Sequence, residues 1–209
     1  MQLLAIITML IDHIGIVFYP DQPLFRLIGR IAFPLYAYGI VAGLRYTSNR
    51  TRYIRRLAVI AAAAQLPYML ALDVWGFNVV ATFLVVIGVL WVQERWSNQP
   101  MFWIIAAMLA ALIMDEWHFD YGSYALFLML IYRHVPQQWM TLVHLALNLV
   151  YFYYAGWELQ LASVIATALL AYGQPLLQAL DRLKPPRWLW LGFYPGHLLL
   201  LAVARVLLR

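Results

Sequence analysis

The chain has 209 residues, 65% of them hydrophobic and only 11% Asp, Glu, Lys or Arg. A soluble domain carries about 25% charged residues, so this composition excludes one and predicts an integral membrane protein. There are no cysteines, which excludes disulfides and thiolate metal sites. The net charge of +5 falls between apolar runs, where topology rather than nucleic-acid binding accounts for it.

Nine apolar runs follow one another, at roughly 2–19, 27–47, 54–72, 77–94, 101–114, 120–133, 138–154, 158–173 and 190–208. None alternates apolar with polar residues, and each is long for a barrel strand. The expected fold is all-α: one integral membrane domain over 1–209, a polytopic transmembrane helical bundle of about 8–9 spans. The runs at 101–114 and 120–133 are the weakest as independent spans. The first run lacks the basic start and small-residue cleavage site of a signal peptide, so it reads as a retained transmembrane helix.

Charge alternates from one connection to the next. Arg50, Arg52, Arg55 and Arg56 lie in the second connection, Arg95 in the fourth, Arg133 in the sixth, and Arg182, Lys184 and Arg187 in the eighth. Asp21, Asp73, Asp115, Glu116, Asp120 and Glu158 lie in the odd ones. The positive-inside rule then predicts a cytoplasmic N-terminus in a multi-pass protein of the cell (inner) membrane. The tryptophans cluster near run ends, as an interfacial belt would. Leu183 to Trp188 reads as a stiff turn, because Pro185 and Pro186 cannot continue a helix.

Four polar groups interrupt the first two runs within 19 residues: Asp12, His13, Arg26 and Arg30. An ionisable group at membrane depth is costly and faces a bundle interior or a wet cavity, so this cluster is the candidate site. His13 falls roughly 18 Å along its helix, near the midplane. A neutral imidazole there suits a general base; the alternative is a histidine that merely donates to a backbone carbonyl. Adjacent helical side chains diverge by about 100°, so Asp12 is expected to pair with Arg26 or Arg30 rather than with His13. Pro34, four residues after Arg30, is expected to open the second helix.

Further candidates are Asn78 and Thr82, an i, i+4 pair, and Asp120 with Tyr121, set against a simple helix-capping role for Asp120. Tyr36 is a candidate wall of an acceptor pocket, along with Tyr19 and Tyr38. His197 follows Tyr194, Pro195 and Gly196 early in the last run. His118, His134 and His144 read as single histidines of packing. Arg45, Arg52 and Arg56 suit a polyanionic cosubstrate, although the positive-inside rule explains the same residues. Metal-ligand spacing and a glycine-rich nucleotide loop are both missing.

The motifs Ile11-Asp12-His13-Ile14-Gly15, Arg26-Leu27-Ile28-Gly29-Arg30-Ile31-Ala32-Phe33-Pro34, Asp120-Tyr121-Gly122 and Tyr194-Pro195-Gly196-His197-Leu198 resemble the TraX family, whose namesake is the membrane acetylase of F-type conjugative pilin. Ala42 stands where that pattern has an acidic residue. The resemblance implies acetyl-CoA as cosubstrate and a peptide, glycan or small-molecule amine or hydroxyl acceptor. It also implies kinship with acyltransferases that move an acetyl group across the bilayer. Catalytic roles then fall to His13, Asp12 and Arg30, and acceptor binding to Arg26, Asn78, Thr82, Asp120, Tyr121 and Tyr36. Donor binding falls to His197, Tyr194, Arg45, Arg52 and Arg56, with no metal, no nucleic-acid partner and the oligomeric state open. A transporter or channel with a buried Asp/His/Arg relay, and a structural envelope component, are the competing classes.

Overall fold

The structure is a computed structural model. It describes residues 1–182 and 185–208, with the side chain of Asp181 left aside. Lys184, expected among the basic connections, and Leu183, at the start of the expected stiff turn, lie outside the described residues.

The apolar runs become helices in chain order: α1 (Gln2–Phe18), α2 (Pro23–Gly29), α3 (Ala32–Tyr46), α4 (Arg50–Leu72), α5 (Val79–Arg95), α6 (Pro100–Glu116), α7 (Gly122–His134) and α8 (Gln137–Ala155). A 3-10 turn (Glu158–Ala162) leads into α9 (Ser163–Tyr172), followed by α10 (Gln174–Asp181) and α11 (Arg187–Leu207). Among the described residues, three stretches are long and apolar enough to cross a membrane: Pro23–Tyr46, Arg50–Leu72 and Arg187–Leu207. A fourth exists if the pair Glu158–Tyr172 and Gln174–Leu180, bent by 92°, counts as one span. The expected eight or nine spans therefore exceed what helix length alone supports. α5 and α6 have 17 residues each, and α8 spends Gln137, Gln138, His144 and Asn148 within its 19.

The second run is broken at Arg30 and Ile31, between α2 and α3. Pro34 has no N–H to offer the carbonyl of Arg30, so the helical ladder stops one turn before it. The chain tightens instead, with Ile31 N–H donating to Ile28 O at 3.2 Å. The break turns the Arg30 side chain back toward α1. Gly29 permits the approach, because a Cβ there would collide with the Asp12 carboxyl group.

α11 packs along α4 and α1, and α1 along α2 and α3. Arg205, near the end of α11, bonds Ala71 O at 3.1 Å and Asp73 Oδ2 at 2.8 Å at the end of α4, so the two helices run the same way. α6 presents Phe102, Met108, Leu109 and Leu112 outward. Trp75, Trp91, Trp117, Trp139 and Trp188 are exposed, whereas Trp157 and Trp190 turn inward.

The α6–α7 connection is the irregular segment that matters. Phe77 N–H donates to His118 O at 3.1 Å and Asp120 N–H to Phe77 O at 2.9 Å, pinning it against the start of α5. Thr82 Oγ1 donates to Asp120 O at 2.8 Å. Tyr121 is held at φ 63° and Gly122 at φ 46°. That backbone is strained for tyrosine, and strain of this kind gathers at functional sites.

Candidate functional site

Asp12 is the electrostatic centre. Arg26 Nη1 donates to its Oδ1 at 2.9 Å, and Arg30 Nη2 lies 3.3 Å from Oδ1 and 3.4 Å from Oδ2. One carboxylate thus meets two guanidinium groups, which offsets the desolvation of all three. Arg30 also donates through Nη1 to Gln160 Oε1 at 3.1 Å, and its guanidinium stands 5.7 Å from the centre of the Tyr121 ring. Asp12 makes no hydrogen bond to His13, as the divergence of neighbours on a helix requires.

His13 is partnered from the far end of the chain. Its Nδ1 lies 2.7 Å from His197 Nε2, with the two rings 4° from parallel. His197 Nδ1 lies 2.6 Å from Phe193 O. A carbonyl only accepts, so His197 Nδ1 carries the proton and its Nε2, in the neutral ring, accepts. His13 Nδ1–H must then be the donor. The remaining nitrogen, His13 Nε2, is an unprotonated base with no hydrogen bond among the described residues.

Two cavities meet at that histidine. The first, about 350 Å³, extends from Asp12 and His13 back toward the N-terminal end of α1, where Met1, Gln2, Tyr53 and Arg56 line it. Its walls include Phe33, Tyr36, Trp190 and Tyr194. The second, about 500 Å³, extends the other way, past Ile16, Arg26 and Arg30 to Leu72 and the segment Gly156–Gln160. Asp12, His13, Asp120 and Tyr121 line both. Tyr121 stacks on Phe33 of the first cavity at 3.7 Å and meets Trp157 of the second edge-on at 6.4 Å, so its ring stands between them. Asp120, in the connection outside the helices, is not a side-chain cap of α7. Burial pushes its carboxyl up to about 6, against the pull of Arg30.

The other candidates separate on their placement. Asp12, His13, Arg26, Arg30, Asp120 and Tyr121 come together at the junction. Tyr194, Tyr36 and Arg56 line the first cavity, so Tyr36 sits with the expected donor residues instead of the acceptor ones. His197 lies behind His13 and lines neither cavity. Asn78 caps α5 through Val80 N–H and Ala81 N–H, and its amide is used by Ala61 O and Gln65. Thr82 tethers the Asp120 backbone. Arg45 bonds Arg133 O at 3.4 Å and Arg52 is exposed, both away from the cavities. Tyr19 stacks on Phe25, and Tyr38 meets Tyr132 edge-on.

Sequence reasoning missed Gln160, Trp157, Trp190, Tyr124 and His144. One signal was present. Gln160, Ser163 and Thr167, and His144, Asn148 and Tyr151, recur at helical spacing, each set a polar stripe in an apolar run.

Helices of membrane length around a buried acid, two arginines and two histidines define a membrane protein with an internal polar site. The chain belongs to the TraX family: the model described as "TraX protein" matches residues 1–205. Over 55 residues, 26% of the chain, it is 44% identical to an uncharacterized protein of Rickettsia prowazekii (strain Madrid E), a match that takes in 21% of that relative. No solved structure matches.

Proposed function

We propose that the protein is a membrane-embedded acetyltransferase that moves an acetyl group from acetyl-CoA to an amine or hydroxyl acceptor, with donor and acceptor entering from opposite faces of the bilayer. The observation that carries this reading is the meeting of two oppositely directed cavities at one histidine, His13. Family membership supports it, since TraX proteins are associated with pilin acetylation. With the N-terminus cytoplasmic and eight or nine spans, the first cavity opens to the cytoplasm, where acetyl-CoA is found, and the second to the outside.

The first cavity is narrow and mostly apolar, which suits the pantetheine arm. Arg56, its guanidinium 5.7 Å from the centre of the Tyr53 ring, stands at the mouth for the phosphates. In the transfer, His13 Nε2 takes the proton of the acceptor as its nitrogen or oxygen attacks the thioester carbonyl. The new C–N or C–O bond forms, the C–S bond breaks, and the proton passes from His13 to the departing thiolate, giving coenzyme A. An acetyl-histidine on the same nitrogen is the two-step version. Arg30 stabilises the developing oxyanion. Asn78, expected among the acceptor-binding residues, has its amide committed to Ala61 O and Gln65. Asp120, at the junction of the two cavities, holds the acceptor.

The test is acetyl-CoA consumption by purified protein in lipid nanodiscs, with His13→Ala as control. Wild type should consume acetyl-CoA and the variant should not, at equal folding. Equal consumption by both removes His13 from the mechanism. A site reached from both ends also fits a transporter. That reading gains if wild type neither binds nor consumes acetyl-CoA.

A further inference from the structure

A second set of polar side chains is buried beside the reacting cluster. Gln160 is 2% exposed, Tyr132 5%, and Tyr124, His144, Ser163 and Thr167 are fully buried. They come from α7, α8, α9 and the 3-10 turn, and they join end to end. Arg30 Nη1 lies 3.1 Å from Gln160 Oε1, Gln160 Nε2 3.1 Å from Tyr124 OH, and Tyr124 OH 2.7 Å from His144 Nε2. His144 Nδ1 lies 2.6 Å from Thr167 Oγ1, which lies 2.5 Å from Tyr132 OH.

Donor chemistry orients the first two links of this chain. A guanidinium only donates, so Gln160 must present its oxygen to Arg30 and its NH₂ to Tyr124. Tyr124 therefore accepts from Gln160, and its hydroxyl lies within reach of His144 Nε2 at 2.7 Å, Ser163 Oγ at 3.1 Å and Asn148 Oδ1 at 3.5 Å. His144 bridges Tyr124 and Thr167 through its two ring nitrogens, one donating and one accepting in the neutral ring. Beside them, Asn148 Nδ2 donates to His144 O at 3.0 Å, leaving Asn148 Oδ1 to accept from Ser163 at 3.4 Å. A half-satisfied buried network costs more than an apolar core, so removing one member disturbs the rest.

We propose that this network is a positioning relay for Arg30. Tyr124 and His144 fix the Gln160 amide, and Gln160 fixes the guanidinium that grips Asp12 beside His13. Tyr124 and His144 touch neither cavity, so they are positioning residues that act through Gln160. Their effect on transfer rests on the acetyltransferase reading; their effect on Arg30 does not.

The experiment therefore reads both. Arginine side chains are labelled with ¹⁵N in wild type, Tyr124→Phe, His144→Phe, His144→Gln and Tyr151→Phe, and the Arg30 signal is identified by its loss in Arg30→Lys. Tyr124→Phe and His144→Phe should shift or broaden that signal. They should also lower acetyl transfer at saturating acetyl-CoA by about tenfold, with KM for acetyl-CoA within about twofold of wild type. His144→Gln keeps one donor and one acceptor for Tyr124 and Thr167 and should restore both readouts. Tyr151→Phe removes a buried hydroxyl bonded to Ser123 outside the relay and should change neither. If His144→Phe fails to fold, Tyr124→Phe decides. An Arg30 signal identical to wild type in folded Tyr124→Phe overturns the relay. If wild type leaves acetyl-CoA untouched, the transfer reading fails and the Arg30 signal still decides the relay.

Discussion

His13 and His197 stand 184 residues apart in the chain and share one hydrogen bond of 2.7 Å, with the proton of His13 Nδ1 directed at His197 Nε2. His197 is locked in turn by Phe193 O, so an ordinary helical carbonyl determines which nitrogen of His13 is basic. The arrangement orients an imidazole as a backbone carbonyl orients a metal-bound histidine, through the nitrogen that does not react.

Replacing His197 tests that lock. His197→Phe removes the acceptor, frees His13 to swap tautomers and should reduce acetyl transfer by about 10- to 100-fold. His197→Gln, whose oxygen can accept the same proton, should recover part of the rate. Acetyl-CoA turnover across the two variants is the measurement. Equal rates would mean that His197 only packs against His13.

Asp12 is the common partner of two arginines, so its removal leaves positive charge in the bundle. The Arg26 side chain, 30% exposed, can turn toward water, but that of Arg30, 13% exposed, is confined. Asp12→Ala should cost about 3–5 kcal/mol of stability, measured by thermal unfolding in nanodiscs. Asp12→Asn should cost less, because its amide oxygen still accepts from Arg30. A melting curve unchanged in Asp12→Ala would show that water already neutralises the cluster.

Asp120 supplies a pH dependence. Burial raises this carboxyl to about 6, so it is neutral below that pH and charged above it. If its charge holds the acceptor, transfer at sub-saturating acceptor should rise as pH increases through about 6. In Asp120→Asn that rise should flatten. A wild-type profile with no change near pH 6 would detach Asp120 from acceptor binding.

Ala42 lines the first cavity and not the second. Ala42→Trp should narrow the donor path and raise KM for acetyl-CoA about tenfold or more, with thermal stability near wild type. An unchanged KM would place the donor elsewhere.

How far the sequence carried varied with distance along the chain. The C-terminal ends of α1, α4 and α11 fall within a residue of the ends of their apolar runs because burial in lipid and bundle selects apolar side chains residue by residue, whereas α4 and α11 begin three or four residues earlier, in the basic connections. The break before α3 was legible in Pro34, whose missing N–H acts on a carbonyl four residues away. α10, eight residues after a bend, carried no run of its own and was missed. The Asp12–Arg26–Arg30 cluster was legible because the interruptions lie within two consecutive helices that have to pack together. Gln160 and His144 were passed over, since a single polar side chain in an apolar run reads as packing until its partners are known.

What the sequence determined by itself is therefore local: an all-helical chain of membrane composition, a candidate site around its first two runs, and the family to which it belongs. Only the tertiary structure decided which nitrogen of His13 is free, that two cavities reach it from opposite ends, and that Arg30 is held through Gln160. The physical reason is the same in each case. Hydropathy and helix breaking are summed over neighbouring residues, whereas a proton is assigned by the geometry of donors and acceptors that arrive from helices far apart in the chain.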